Sequence, residues 1–131
     1  SNWDVSNVTQ MIGMFENSLF NGDISNWDVS NVIIMGQMFD NSLFNGDISN
    51  WDVSNVTHMV SLFQDSPFNG DISNWDVSEV RLMQRMFNNN SSFNIDLSSW
   101  DVSKVTNCEN FANGASNYTL PKPNFTNCDS N

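Results

Sequence analysis

Hydrophobic residues recur along this chain at a fixed spacing, and polar residues fill the positions between them. The clearest marker is the sequence Trp-Asp-Val-Ser, which occurs five times. Its tryptophans are Trp3, Trp27, Trp51, Trp75 and Trp100, so the spacings are 24, 24, 24 and 25 residues. A period in this range is typical of proteins in which one structural unit is repeated and stacked. The sequence therefore predicts a solenoid.

Other apolar residues also keep one place in every unit, and we expect them to face a continuous core. These ladders are Val5, Val29, Val53, Val77 and Val102; Val8, Val32, Val56, Val80 and Val105; Met11, Met35, Met59 and Met83; and Phe15, Phe39, Phe63 and Phe87.

The pattern within a unit predicts a short strand, a turn and a short helix. Asp-Ile-Ser-x-Trp alternates apolar and polar residues, as an extended segment does. Met11, Met14 and Phe15 have the i, i+3, i+4 spacing of one helical turn. We therefore expect an α/β repeat solenoid, a leucine-rich-repeat-like right-handed coil with short parallel strands and short helices. The predicted repeat region is 1–112, with about five units of which the first is incomplete, and 113–131 form a C-terminal cap or tail.

Length and charge exclude several classes of protein. The 131 residues suit one domain. A net charge of −11 argues against binding to nucleic acid, which needs clustered Lys and Arg, and against anionic membrane surfaces. No apolar run approaches the roughly 20 residues of a membrane-spanning helix, so we expect no membrane insertion.

Nine of the acidic residues form two further ladders, and two roles are open for them. The ladders are Asp4, Asp28, Asp52, Asp76 and Asp101, and Asp23, Asp47, Asp71 and Asp96. In the first interpretation each Asp caps a turn by accepting backbone N–H bonds. In the second, Asp23, Asp47, Asp71 and Asp96 are candidate Ca²⁺ ligands, because Ca²⁺ prefers oxygen ligands. No other cofactor or metal is indicated.

The only two cysteines, Cys108 and Cys128, flank the segment in which the repeat dissolves. The terminal unit of a solenoid must differ from the others because it covers the last apolar layer. We expect a disulfide that staples this cap and contributes roughly 3 kcal/mol by restricting the unfolded chain.

Six Asn-x-Ser/Thr sequences are candidate N-glycosylation sites if the source is a eukaryote. They are at Asn7, Asn55, Asn89, Asn90, Asn117 and Asn124. Together with the expected disulfide they favour an extracellular location, either secreted or at the cell surface.

The repeat Trp-Asp-Val-Ser-Asn-Val-Thr-x-Met-x-x-x-Phe, followed by Phe-Asn-x-Asp-Ile-Ser, resembles that of the BspA-like leucine-rich-repeat surface proteins. The resemblance covers residues 1 to about 112. The segments around Cys108, Phe111-Ala112-Asn113-Gly114 and Cys128 are similar to that family's C-terminal cap. The resemblance implies a secreted or surface-anchored protein for adhesion, matrix attachment or host contact, without catalytic residues.

The chain opens in mid-repeat, which we interpret as a processed or trimmed N-terminus. The first unit then exposes an apolar layer of Trp3, Val5, Val8, Met11, Met14 and Phe15. We expect another copy to cover this layer with its tail, through Tyr118, Leu120 and Phe125, and so to form a head-to-tail filament. In the alternative, upstream repeats cover the layer, and the chain belongs to a larger surface protein that binds a glycan or a host or matrix protein.

No catalytic motif marks the chain as an enzyme, and repeated carboxylates offer no unique acid and base. The tryptophans would suit sugar stacking if they are exposed, but rings of this size are more often buried in a core.

Overall fold

Backbone hydrogen bonds between residues about 24 apart hold the chain as a stack of coils. The computed structural model describes residues 3–131. We number the coils from their tryptophans. Coil 1 covers 3–26, coil 2 covers 27–50, coil 3 covers 51–74, coil 4 covers 75–99 and coil 5 covers 100–114. Residues 115–131 are called the C-terminal tail.

Each junction between coils uses four N–H donors that all point the same way. From coil 1 to coil 2, the N–H groups of Met11, Gly13, Phe15 and Asn17 donate to the carbonyls of Ile34, Gly36, Met38 and Asp40, at 2.8 to 3.0 Å. The same row joins each later pair of coils, with distances from 2.7 to 3.2 Å. Each junction also contains a bond that runs the other way, such as Ile33 N–H to the Thr9 carbonyl at 2.7 Å.

The prediction of an α/β solenoid with short strands and short helices is wrong. Residues 3–131 contain no helix, and their only parallel pairing is a series of isolated bridges. The bridges join Gln10, Ile34, His58, Leu82 and Asn107 in succession.

The Met-x-x-Met-Phe segment fails to form a helix for two reasons. Its N–H groups donate across to the next coil, whereas a helix needs them to donate back along the chain. In addition, Gly13 and Asn17 have φ of 61° and 57°, outside the right-handed helical region. Corresponding positions in later coils share this feature: Gln37, Asn41, Ser61, Asp65, Arg85 and Asn89.

The expected strand is a turn. Trp27 N–H donates to the Ile24 carbonyl at 3.1 Å, and Ser25 N–H donates to Asp23 Oδ1 at 2.9 Å. The turn that follows is closed by Val32 N–H and the Val29 carbonyl at 2.9 Å. Alternating polarity arises here because successive turns direct side chains inward and outward.

Stacked aromatic rings fill the core. Phe39 and Phe63 are nearly parallel, with ring centroids 5.7 Å apart, and this ladder continues to Phe87. A second ladder runs through Phe20, Phe44, Phe68 and Phe93. Three of these phenylalanines are followed, two residues later, by a glycine. A Cβ at Gly22, Gly46 or Gly70 would lie 2.7 to 2.9 Å from carbons of the preceding ring, which accounts for glycine there.

The C-terminal tail folds back over the last aromatic layer. Tyr118 packs edge-on against Phe93 at 5.2 Å, and Phe125 packs edge-on against Phe111 at 5.0 Å. A disulfide joins Cys108 to Cys128, the pair expected from the sequence. The division of the chain into a repeat region, 1–112, and a C-terminal cap or tail, 113–131, stays a prediction.

Replacing Phe63 by Ala should remove a ring that stacks on Phe39, Phe68 and Phe87 in the middle of the core. We expect the free energy of unfolding to fall by about 3 to 5 kcal/mol, because a cavity replaces a fully buried ring. Urea unfolding followed by tryptophan fluorescence measures this loss. Leu43→Ala is the matched control, since Leu43 is 53% exposed and its truncation should change stability by under about 0.5 kcal/mol. A loss below about 1 kcal/mol for Phe63→Ala would contradict the packing described here.

Candidate interaction surfaces

The aspartate ladders are turn caps on the outside of the stack. Asp28 Oδ1 accepts the backbone N–H of Ser30 at 3.0 Å and its hydroxyl at 2.6 Å. Asp23 accepts the same two bonds from Ser25, at 2.9 and 2.6 Å. The pattern recurs at Asp4, Asp47, Asp52, Asp71, Asp76 and Asp96. These bonds account for the presence of Asp two residues before Ser in each turn.

Capping also explains how like charges are tolerated side by side. The serine hydroxyl, and then the serine N–H, hold the pKa of Asp23, Asp47, Asp71 and Asp96 below the usual carboxyl value. Within residues 3–131, no three His, Cys, Asp or Glu side chains gather in a way that could hold a metal ion. Calcium binding at these four aspartates stays a prediction that the geometry does not favour.

Five of the six candidate glycosylation sites lie on the surface. Asn7, Asn55, Asn89, Asn117 and Asn124 are exposed. Asn90 is fully buried, and its side-chain amide donates to the carbonyl of Phe68 at 3.0 Å. An Asn90 held in this way cannot carry a glycan in the folded protein. The other five stay candidates.

The expected apolar layer of coil 1 is only partly exposed. Val5 and Met11 are buried, whereas Val8, Met14 and Phe15 are partly buried against the core. Trp3 is 67% exposed and stacks on Trp27 with ring centroids 6.3 Å apart. Trp3, Phe15, Phe20 and Trp27 line an aromatic groove of about 190 Å³, which we call the coil 1 groove.

The three residues of the C-terminal tail that are expected to contact a second copy differ in their exposure. Tyr118 is buried against Phe87 and Phe93 of its own chain, and Phe125 is partly buried against Phe111. Burial raises the pKa of the Tyr118 hydroxyl far above its usual value. Leu120 is exposed. Of the three, Leu120 therefore has the side chain available to a second molecule, and an interface through these residues stays a prediction.

A second, shallower groove of about 440 Å³ runs along the flank of coils 1 to 3. We call it the flank groove; it is lined by Asn7, Thr9, Asn31, Ile33, Asn55 and Thr57. The amides are held in a regular row, since Asn31 donates to the Ser6 carbonyl and Asn55 donates to the Ser30 carbonyl, both at 2.7 Å. The groove therefore presents one amide and one Thr or Ile side chain per coil.

One ladder of polar side chains is partly buried. Asp40 is buried, and Gln64 Nε2 donates to its carboxylate at 3.3 Å; Asn88 in turn donates to Gln64 Oε1 at 3.0 Å. Burial raises the pKa of the Asp40 carboxyl, and the charges of Glu16 and Asp65 raise it further, against the hydrogen bond from Gln64.

Sequence reasoning missed Phe20 and Trp27 as lining residues of the coil 1 groove, and it missed the burial of Asp40. The sequence carries a signal for Asp40, because Gln64 and Asn88 occupy the same place in the next two coils and are uncharged. No comparable signal marks Trp27, which looks like every other tryptophan of the ladder.

Capped turns stacked at a fixed spacing define a repeat protein, and a comparison with family models gives the family. The family described as "Mycoplasma protein of unknown function, DUF285" matches residues 1–67 and again residues 44–129. The chain belongs to this family, because the two matches cover nearly all of it. No curated protein and no solved structure matches the chain. Residues 3–131 include no helix with the length and hydropathy needed to cross a membrane.

Replacing Asp40 by Asn should raise stability at neutral pH and leave it nearly unchanged at pH 3. A raised carboxyl pKa means that the folded state favours the neutral form, so Asp40 costs stability once the pH rises through its folded pKa. Asparagine keeps the acceptor for Gln64 and removes the charge. The midpoint of thermal unfolding at pH 3 and pH 7 measures the difference.

The control is Asp47→Asn, for which the opposite sign is expected. The pKa of Asp47 is lowered by Ser49, so its charge contributes stability above the usual carboxyl pKa and loses that contribution as the pH falls through the folded pKa. Asp47→Asn should therefore lower the midpoint at pH 7. Equal changes in the unfolding midpoint of the two variants at pH 7 would contradict the claim that the charge of Asp40 costs stability.

Proposed function

We propose that this chain is a non-enzymatic extracellular structural protein that self-assembles head to tail into a surface or secreted filament. The proposal includes the finer family assignment, that the repeats are those of BspA-like leucine-rich-repeat surface proteins. The observation that carries it is the coil 1 groove, a cavity of about 190 Å³ that four aromatic side chains line and at which Trp3 is exposed.

The groove has the character of a contact surface. Exposed apolar patches on soluble proteins mark sites of protein interaction or liabilities to aggregation. Next to it, the carbonyls of Gln10, Ile12, Met14 and Glu16 correspond to those that accept the four-bond row in later coils, and none accepts a hydrogen bond from residues 3–131. A layer with N–H donors at the same spacing would satisfy this row.

The opposite end of the stack supports a directional contact. In coil 5, the N–H groups of Asn110, Ala112 and Gly114 stand where the donors of earlier coils stand, and they have no acceptor within the described part of the chain. Donors at one end and acceptors at the other favour a heterologous contact, which propagates unless it closes into a ring. The disulfide supports the extracellular part of the proposal, because structural disulfides persist in oxidising compartments.

The second candidate function is a recognition module of a larger surface protein that binds a glycan or a host or matrix protein. The flank groove favours it, since a row of amides and small side chains suits an extended ligand. Sugar stacking on the tryptophan ladder does not support it, because Trp27, Trp51, Trp75 and Trp100 are buried.

Trp3→Ser should weaken self-association at least tenfold, because large aromatic residues at interfaces dominate binding energy. Sedimentation velocity over a concentration series, with electron microscopy of the same samples, measures association and filament formation. Leu43→Ser, an equally apolar exposed site on coil 2, should assemble like the wild type.

Two outcomes would overturn the proposal. One is a wild-type chain of 14.8 kDa that sediments as a monomer at every concentration. The other is equal assembly by the two variants. A native protein of larger mass, in which further coils of the same polypeptide cover the coil 1 groove, would favour the recognition module.

A further inference from the structure

Asparagine is followed directly by glycine at four places, and such a pair is prone to lose the side-chain amide of the asparagine. The pairs are Asn21-Gly22, Asn45-Gly46, Asn69-Gly70 and Asn113-Gly114. In each pair the backbone nitrogen of glycine lies next to the asparagine Cγ and has no side chain to shield it. Asparagine is accordingly among the thermolabile residues. The structure separates the four pairs into two kinds.

Three of the pairs are held by the next coil. Asn21 Oδ1 accepts the backbone N–H of Asn45 at 3.0 Å, and Asn45 Oδ1 accepts that of Asn69 at 3.1 Å. Asn69 Oδ1 in turn accepts the N–H of Asn94 at 3.1 Å. A side chain that turns toward the nitrogen of its own glycine loses this bond, which opposes the reaction.

The fourth pair has no such restraint. Asn113 and Gly114 are both exposed, and neither the Asn113 side chain nor the Gly114 N–H forms a hydrogen bond with residues 3–131. The segment 115–131 follows the pair and packs on the aromatic core through Tyr118 and Phe125. That packing leaves Asn113 at the surface.

The ladder of polar side chains also stops short of Asn113. Asn113 takes the place in coil 5 that Asn88 has in coil 4, and Asn88 donates to Gln64 Oε1 of the preceding coil at 3.0 Å. The corresponding bond from Asn113 is missing, since Asn88 Oδ1 is buried without a hydrogen-bond partner among residues 3–131. The Asn113 side chain is therefore free to turn toward the Gly114 nitrogen.

We infer that Asn113 is a deamidation site, which the folded protein converts to aspartate or isoaspartate while Asn21, Asn45 and Asn69 stay intact. The Gly114 nitrogen forms a bond to Asn113 Cγ and gives its proton to solvent. The Cγ–Nδ2 bond breaks, and Nδ2 takes up a proton from water and leaves as ammonia.

Water then opens the resulting succinimide ring at either of its carbonyl carbons. Cleavage of the bond from nitrogen to Cγ leaves aspartate at position 113, and cleavage of the bond from nitrogen to the backbone carbonyl carbon leaves isoaspartate. The inference does not depend on the proposed assembly, because both reacting atoms belong to one chain.

Isoaspartate would change the last hydrogen bond between coils 4 and 5. The Asn113 carbonyl accepts the Asn89 N–H at 2.8 Å, and in isoaspartate this carbonyl leaves the main chain and becomes a pendant carboxylate. The main chain also becomes longer by a methylene group. We therefore expect the Asn89 N–H resonance to move in the modified protein. The N–H of Asp65 donates to the Asn88 carbonyl at 2.9 Å, so its resonance should stay and serves as the control.

The test incubates folded protein and urea-unfolded protein at neutral pH, both with the disulfide intact. Peptide mapping by mass spectrometry follows each Asn-Gly pair. The folded sample is kept at a concentration at which sedimentation velocity shows monomers, so that self-association cannot cover Gly114. In the folded sample Asn113 should lose its amide at least about tenfold faster than the other three. In the unfolded sample the four rates should agree within about twofold, because only the local sequence remains.

Asn113→Gln is the matched variant, because it keeps an amide whose attack by the Gly114 nitrogen would need a larger ring. Ion-exchange chromatography of folded protein should show an acidic form that accumulates in the wild type and not in this variant. Two results would overturn the inference. One is equal loss of amide at the four pairs of the folded protein. The other is loss at Asn113 that is more than about tenfold slower in the folded than in the unfolded sample.

Discussion

A one-directional row of backbone hydrogen bonds is the constraint on which the rest of the structure depends. In each junction four N–H groups of one coil point to four carbonyls of the next. This requires alternate peptide groups to face along the stack, which the chain achieves by placing residues such as Gly13 and Asn17 at positive φ. The row satisfies backbone groups that would otherwise be orphaned, because residues 3–131 form no helix or extended strand that could supply partners.

Side-chain ladders follow from the same row. When each coil lies directly over its neighbour, identical residues meet, so aromatic rings stack and gain favourable contacts beyond their burial. The same geometry aligns carboxylates, which repel. Pairing each Asp with a Ser two residues later offsets this, since both the hydroxyl and the N–H of that Ser stabilise the charge. Asp40 receives no such bonds from Ser42, whose hydroxyl accepts the N–H of Phe44, and burial raises the pKa of the Asp40 carboxyl.

The sequence predicted the ladders, which the period determines, and the cysteine pair, which flanks the segment where the repeat ends. It did not predict the conformation within a unit. The spacing of Met11, Met14 and Phe15 fits a helical turn, but tight turns with positive φ return side chains to the same side at the same interval. Likewise, Asp-Ile-Ser-x-Trp alternates like a strand and is a capped turn. Hydrophobic periodicity indicates which side chains face inward, and several backbone conformations give the same periodicity.

For the candidate site, the sequence indicated the end of the stack and the tail, but not their chemistry. Tyr118 and Phe125 look equivalent to Leu120 in sequence, and only packing shows that they cover their own chain. The direction of the row limits what can cover coil 1. Two coil 1 faces would bring carbonyls against carbonyls, so a two-fold pairing of like faces leaves the row unsatisfied. A layer that satisfies this row must bring N–H donors to it, which favours a heterologous contact for the proposed assembly.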